Sequence, residues 1–151
     1  MQLNNINDDH ITELMSWFTN EQQLKQWSGP NFDYPFTVES FKRDLRMESL
    51  SSFVLLNDDN QFVAFGQYYL RLNCCHLGRL VVKPTLRGKG IITQLIQTLE
   101  KSGKQKLGVK SCSLFVLADN EAAIAAYQKS GFSLATYPEA IPLDNCLYMT
   151  K

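Results

Sequence analysis

Apolar and polar positions along the chain follow two periods, one helical and one strand-like. Residues 1–6 read as a short strand. From Asp8 onward, Ile11, Leu14, Met15 and Phe18 recur at helical spacing, with Asp8 or Asp9 available as a cap. The stretch WSGPNFDYPF at 27–36 predicts no regular helix, because Gly29, Pro30 and Pro35 interrupt it. Thr37 then opens TVESFKRDL, a second short helix with Thr37 and Ser40 as cap candidates. SFVLL at 52–56 and QFVAFGQYYL at 61–70 are strand-like runs, and NDDN between them suits a hairpin turn. A third strand runs from about Cys75 to Lys83 and stops at Pro84, which cannot donate to a ladder.

Beyond Pro84 the period lengthens again. Ile91, Ile92, Leu95, Ile96 and Leu99 make an amphipathic helix, closed by Gly103. SCSLFVLA at 111–118 reads as a buried strand, Asp119 or Asn120 caps the helix EAAIAAYQKS, and Gly131 ends it. Two last strands fit near 132–137 and 145–150. The strand–helix–strand crossover at 75–118 implies one parallel pair in an otherwise antiparallel sheet. The fold class is therefore α/β (α+β) with a mixed, mainly antiparallel sheet.

Length and composition narrow the functional classes. The chain has 151 residues, 44% hydrophobic and 20% charged, which suits one globular domain spanning 1–151. Fifteen Lys+Arg balance fifteen Asp+Glu, so the broad basic footprint of a nucleic-acid binder is missing and no nucleic-acid partner is expected. Cys74, Cys75, Cys112 and Cys146 form no C-x-x-C pair, and only His10 and His76 accompany them. This is neither a disulfide framework nor a zinc site, and reduced thiols in a cytoplasmic protein without a metal are expected. No apolar run approaches the roughly 20 residues that span a bilayer, and the polar N-terminus is no signal peptide. No membrane partner is expected, and the chain is expected to be a monomer or a homodimer.

The strongest chemical signal is VVKPTLRGKGII at 81–92. A strand ends at Pro84, glycines stand at 88 and 90, and a helix begins near Gly90. First-turn amides of a helix have no internal partner and lie at the positive end of its dipole. With Gly88 and Gly90 letting a ligand approach, and Arg87 and Lys89 adding charge, this junction suits a phosphate or pyrophosphate. It is neither a Walker loop nor a G-x-G-x-x-G dinucleotide loop.

Leu80, Val82, Pro84, Arg87 and Gly90, followed by Asn120, Ala123, Tyr127, Gly131 and Phe132, resemble the two signatures of the GNAT superfamily of acyl-CoA N-acyltransferases. Ile92 departs from the pattern, standing where the family has Gly or Ala. The resemblance covers about residues 50–135 well. More loosely, LMSWFTNEQQLKQWSGPNF resembles members that acetylate protein N-termini. The resemblance implies a mixed central sheet flanked by helices, with the parallel strand pair at the cofactor site. It places the acetyl-CoA site within 75–132 and the acceptor side in the N-terminal third.

The resemblance also implies roles for individual residues. Backbone groups of Leu80 and Val82 would pair with the pantetheine arm, and the N–H near Val82 would polarise the thioester carbonyl. Arg87, Gly88, Lys89, Gly90, Ile91 and Ile92 would hold the pyrophosphate, with Lys83 and Lys89 near outer phosphates. Asn120 would contact the cofactor arm, and Tyr127 would stand near the thioester sulfur. A phenol near pKa 10 is close enough to a thiol near 8.5 to supply the leaving thiolate with a proton.

The base is less determined. His76 lies an even number of residues before Val82 and is expected to share its face, where an imidazole near pKa 6.5 would accept an ammonium proton. Asp33 and Glu39 are candidates to attract a cationic substrate. Trp17, Phe18, Trp27, Phe32, Tyr34 and Phe36 are read either as an acceptor pocket or as core. The expected activity is acetyl-CoA-dependent N-acetylation of a primary amine, on a small molecule or a peptide, by direct attack in a ternary complex. A catalytically silent acyl-CoA-binding module is the alternative.

Overall fold

The computed structural model describes residues 1–151. Strand β1 (Gln2–Asn5) leads into helices α1 (Asp8–Ser16), α2 (Glu21–Ser28) and α3 (Val38–Asp44). Strands β2 (Ser51–Leu56), β3 (Phe62–Arg71) and β4 (Cys74–Val82) form a meander. A 3-10 turn at Pro84–Leu86 joins β4 to α4 (Ile91–Leu107), followed by β5 (Cys112–Leu117), α5 (Glu121–Lys129), β6 (Ser133–Ala135) and β7 (Cys146–Thr150). The seven strands form one sheet in the order β1-β2-β3-β4-β5-β7-β6. Of its neighbouring pairs only β4–β5 is parallel, with α4 as the crossover. The mixed fold class expected from the sequence is the one observed.

Strand alternation divides the core between the two faces of this sheet. Leu55, Ala64, Tyr68, Leu77 and Leu114 pack with Leu95, Ile96 and Leu99 of α4 and Tyr127 of α5. Their chain neighbours Val54 and Phe65, with Val81, pack with Ile11, Leu14, Leu24 and Phe41 of the N-terminal helices. With helices on both faces, β3 is buried almost throughout, and its sequence reads as a nearly continuous apolar run.

Several local expectations need correction. A third N-terminal helix, α2, contains Trp27 and Ser28, so the irregular stretch begins only at Gly29, which ends the helix at φ 82°. Its cap is Asn20, whose Oδ1 accepts from the Gln23 amide at 2.8 Å. α1 is capped by Asn7 rather than Asp8 or Asp9. Asn7 Oδ1 accepts from the His10 amide at 2.9 Å, while His10 Nδ1 accepts from the Asn7 amide at 3.2 Å. Gly103 does not close α4. It lies on the sheet-facing side, where a Cβ would strike Cys75 Sγ and come within 3.1 Å of Tyr68. Gly108, at φ 67°, ends the helix and donates to the Lys104 carbonyl. Of the candidates, Thr37 caps α3, with Ser40 completing a capping box, and Asn120 rather than Asp119 caps α5.

All four cysteines are free thiols. No helix is long and apolar enough to cross a membrane.

Candidate active site

The site grows from a local defect in β4. Its parallel pairing with β5 runs only through Cys75↔Cys112, His76↔Ser113 and Leu77↔Leu114. Beyond Leu114, β5 pairs with β7 alone, and beyond Leu77, β4 pairs with β3 alone. The cause is a bulge. Val81 opposes Phe65 and Gly78 opposes Gln67, so Arg79 and Leu80 stand together against Gly66. Arg79 adopts φ 50° to accommodate it. Gly66 leaves the room, since a Cβ there would come within 2.8 Å of Leu80 and 2.6 Å of Leu99.

The bulge leaves an open strand edge. Lys83 donates to Val63 O at 2.9 Å, directly across the β3–β4 ladder. In an antiparallel ladder hydrogen-bonded positions alternate. Val81 therefore also bonds toward β3, while the N–H and C=O groups of Leu80 and Val82 turn toward the gap left by β5.

That edge leads into the glycine-rich junction. Gly88 and Gly90 both lie at φ 77°, a left-handed conformation suited to glycine, and a Cβ on either would meet nothing within 4 Å. The space above them is open. The first turns of α1, α2, α3 and α5 are capped by side chains of Asn7, Asn20, Thr37 and Asn120, whereas α4 has no side-chain cap. Its leading amides follow Arg87 and Lys89, both exposed. Lys83 is less free, pairing with Glu13 at 3.0 Å. A cleft of about 390 Å³, lined in part by Glu13, Trp17, Lys83, Pro84 and Arg87, opens beside this junction. A larger cavity, about 1090 Å³, lies elsewhere, between β1 and the outer side of α4. It lies away from the glycines and the uncapped amides, whereas the smaller cleft reaches Arg87, next to both.

On α5, Asn120 Oδ1 accepts from the Ala123 amide at 3.3 Å, which occupies its oxygen as a cap and leaves its amide nitrogen available. Tyr127, two turns on, is 9% exposed and packs near Phe132. Burial pushes its phenol up to about 12, so it is fully protonated at neutral pH. This departs from the near-balance with a thiol expected from an unperturbed tyrosine.

His76 departs further. The bulge inserts one residue between it and Val82, so the even spacing no longer places them on one face. Leu77 and Val82 face α4, and His76 faces the other way, between Tyr69 and Phe115 at ring distances of 5.1 and 4.7 Å. It is 2% exposed, hydrogen-bonded through Nδ1 to Ser113 Oγ at 2.8 Å. Burial, with the nearby Arg71 charge, lowers its pKa to about 3. A ring so weakly basic and so enclosed is poorly suited to take a proton from an ammonium.

The N-terminal aromatics are mostly core. Trp17, Phe18 and Phe32 are buried, Trp27 stacks on Phe18 at 4.5 Å, and only Tyr34 is markedly exposed. Asp33 is engaged by Arg43 at 2.6 Å, and Glu39 is exposed on α3. No sequence motif flagged Arg71, Arg79 or Phe115, which stand around the point where β4 and β5 part. The signal available was Gly78-Arg79 interrupting an apolar strand, a pattern that marks bulges.

Comparison with known proteins agrees with this geometry. Residues 12–132 match the Acetyltransferase (GNAT) family. Over 87 residues the chain is 31% identical to the uncharacterized protein YxbD of Bacillus subtilis, a stretch covering 58% of this chain and 53% of YxbD. The match thus spans about half the length of that curated relative. Among solved structures, the spermidine N-acetyltransferase of Vibrio cholerae in complex with CoA and spermine superposes with a TM-score of 0.74 at 13% identity, over 99% of this chain and 94% of that one. The ribosomal-protein-S18-alanine N-acetyltransferase of Escherichia coli gives 0.64 at 21% identity, over 99% and 91%. A domain from Methanocaldococcus jannaschii gives 0.77 at 18% identity, over 99% and 96%. At these identities the structural likeness is one of fold. The family match spans most of the chain and includes both the parted strands and the uncapped helix, and the protein belongs to the GNAT family of acetyltransferases.

Proposed function

We propose that the protein is an acetyl-CoA-dependent N-acetyltransferase that acetylates a primary amine by direct attack, with both substrates bound together. One observation carries the reading: the free edge of β4 is followed, through the Pro84–Leu86 turn and the two glycines, by the uncapped N-terminus of α4. A single elongated ligand with an extended arm and a diphosphate would satisfy both sets of unpaired backbone groups at once. The open space above Gly88 and Gly90 fits that ligand, since no side chain competes for it.

Acetyl-CoA supplies the acetyl thioester. Amides from Gly88 to Ile92, with Arg87 and Lys89, bind its diphosphate. Leu80 and Val82 pair with its arm, and the strand N–H near Val82 polarises the carbonyl. Asn120 contacts the arm through its amide nitrogen. Tyr127 donates a hydrogen bond, then a proton, to the leaving thiolate. Against a free thiol near 8.5, a phenol at about 12 is a reluctant donor. The same desolvation that raises the phenol also raises a thiolate formed beside it, which narrows the gap. His76 is left out of proton abstraction, and the acceptor enters as the free amine or loses its proton through water.

Thiol release from acetyl-CoA across a panel of amines tests the reading, with turnover above the hydrolysis background expected for at least one amine. The silent acyl-CoA-binding module draws on one observation, the buried and non-basic His76. Tight CoA binding with no turnover on any amine would favour it.

A further inference from the structure

On the sheet face opposite α4, a band of side chains crosses the point where β4 and β5 part. Arg79, the bulge residue, donates from Nη1 to Gln67 Oε1 at 2.9 Å, and its Cζ lies 5.4 Å over the Phe32 ring. Arg71 donates from Nη1 to the Tyr137 hydroxyl at 3.0 Å and from Nη2 to the Tyr69 hydroxyl at 3.3 Å. Its Cζ lies 5.0 Å over Phe115 and 5.5 Å over Tyr69. The Nε of each arginine is buried without a partner.

Both guanidiniums are partly buried, yet their polar partners are an amide oxygen and two phenols, all neutral. Neither arginine takes part in any of the protein's ion pairs. Asp44, the carboxylate that bears on Arg79, is already held by Arg43 at 3.1 Å and by the Asp33 amide at 3.0 Å. Arg46 adds a further positive charge near Arg79. A half-desolvated guanidinium is costly unless an anion neutralises it, and its planar fork matches a carboxylate. Arg79 directly precedes Leu80, whose backbone faces the gap, so an anion bound there lies beside the cofactor's path.

We infer that this face binds the carboxylate of the acceptor, and that the amine acetylated belongs to a small amino acid-like molecule. The inference rests on the acetyltransferase reading and narrows its substrate. Rings of Tyr69 and Phe115 lie against the Arg71 guanidinium, with Tyr137 packed on Phe115, and Phe32 lies against Arg79, so each charge has apolar neighbours. A polyamine would bring several further cations to a face that already carries uncompensated ones.

Matched pairs test this on the full chain. Amino acids are compared with their own carboxamides, and with spermidine, in acetyl-CoA turnover and in calorimetric binding to the CoA-loaded protein. The expected result is at least a tenfold higher kcat/KM for a carboxylate over its carboxamide. Arg71→Gln and Arg79→Gln should each reduce that ratio about tenfold, mainly through KM, with Arg71→Lys and Arg79→Lys retaining part of it. A merely structural arginine would move both members of a pair alike. Because the wild-type preference needs no substitution, a variant that fails to fold does not remove the test. Preference for carboxamides or spermidine, or a ratio unmoved in both Gln variants, would overturn the inference while leaving the acetyltransferase reading intact. Arginine-dependent binding of amino acids without turnover would uphold the inference and overturn that reading. Neither binding nor turnover of any amino acid would overturn the inference.

Discussion

The indole Nε1 of Trp27 donates to the carbonyl of Arg79 at 2.8 Å, tying the last turn of α2 to the bulge residue of β4. The bond joins the helical layer to the strand position where β4 bulges away from its partner. Trp27→Phe removes the donor, leaves a partly buried carbonyl unpaired and loses ring volume. A loss of about 1–3 kcal/mol is expected, measured by urea unfolding, with a weaker affinity for CoA because the free edge of β4 is less well held. Unchanged stability and CoA affinity would show that the bulge holds itself.

Gly90 tests the junction separately from the core. Gly90→Val places a β-branched residue at φ 77°, at a backbone cost of about 1–3 kcal/mol, and fills the space above the first turn of α4. CoA affinity measured by calorimetry should fall at least tenfold, while the far-ultraviolet spectrum of the sheet stays as in the parent. Equal affinity would place the diphosphate elsewhere.

Tyr127→Phe keeps the ring that packs against Phe132 and removes only the hydroxyl. A donor to the leaving group is worth roughly 10²–10⁴ in rate, so kcat should fall by about that range while CoA affinity changes less than threefold. Turnover close to the parent's would remove Tyr127 from the chemistry and leave it a core residue.

His76 makes a prediction about stability instead. Its folded value of about 3 lies below the ordinary 6.5 of an unfolded imidazole. Between those values the unfolded chain holds a proton that the folded chain does not, so stability falls as pH falls through that window. The slope from this group is at most about 1.4 kcal/mol per pH unit, and it ends below pH 3, where both states are protonated. His76→Gln should flatten the dependence seen in chemical unfolding between pH 6 and 4. The pH–rate profile of the parent should show no inflection assignable to this ring.

Much of the fold was legible because periodicity carried it. The meander, the α4 crossover and a cap at Asp119 or Asn120 follow from apolar spacing and turn residues alone. α2 escaped because its eight residues, EQQLKQWS, bury only Leu24 fully, and prolines just beyond it dominate the local pattern. Gly103 misled because helical glycines mark ends by conformation but interiors by close approach, and only the position of Cys75 distinguishes the two. The site divided along the same line. Its backbone parts, Leu80, Val82 and the 87–92 junction, are written in local motifs. The parity argument for His76 failed because one extra residue in a strand reverses every face assignment beyond it. Arg71 and Arg79 carry no local signature, because what sets them apart is the lack of a carboxylate partner, and a sequence does not show who stands opposite.

In the proposed function, the free edge of β4 and the bare N-terminus of α4 together hold coenzyme A. Amide chemical shifts in a ¹⁵N-labelled sample titrated with CoA test it most directly. The largest shifts are expected at Leu80, Val82, Gly88, Gly90, Ile91 and Ile92. Shifts concentrated instead around Asn4, Thr98 and Lys101, at the larger cavity beside β1, would contradict it.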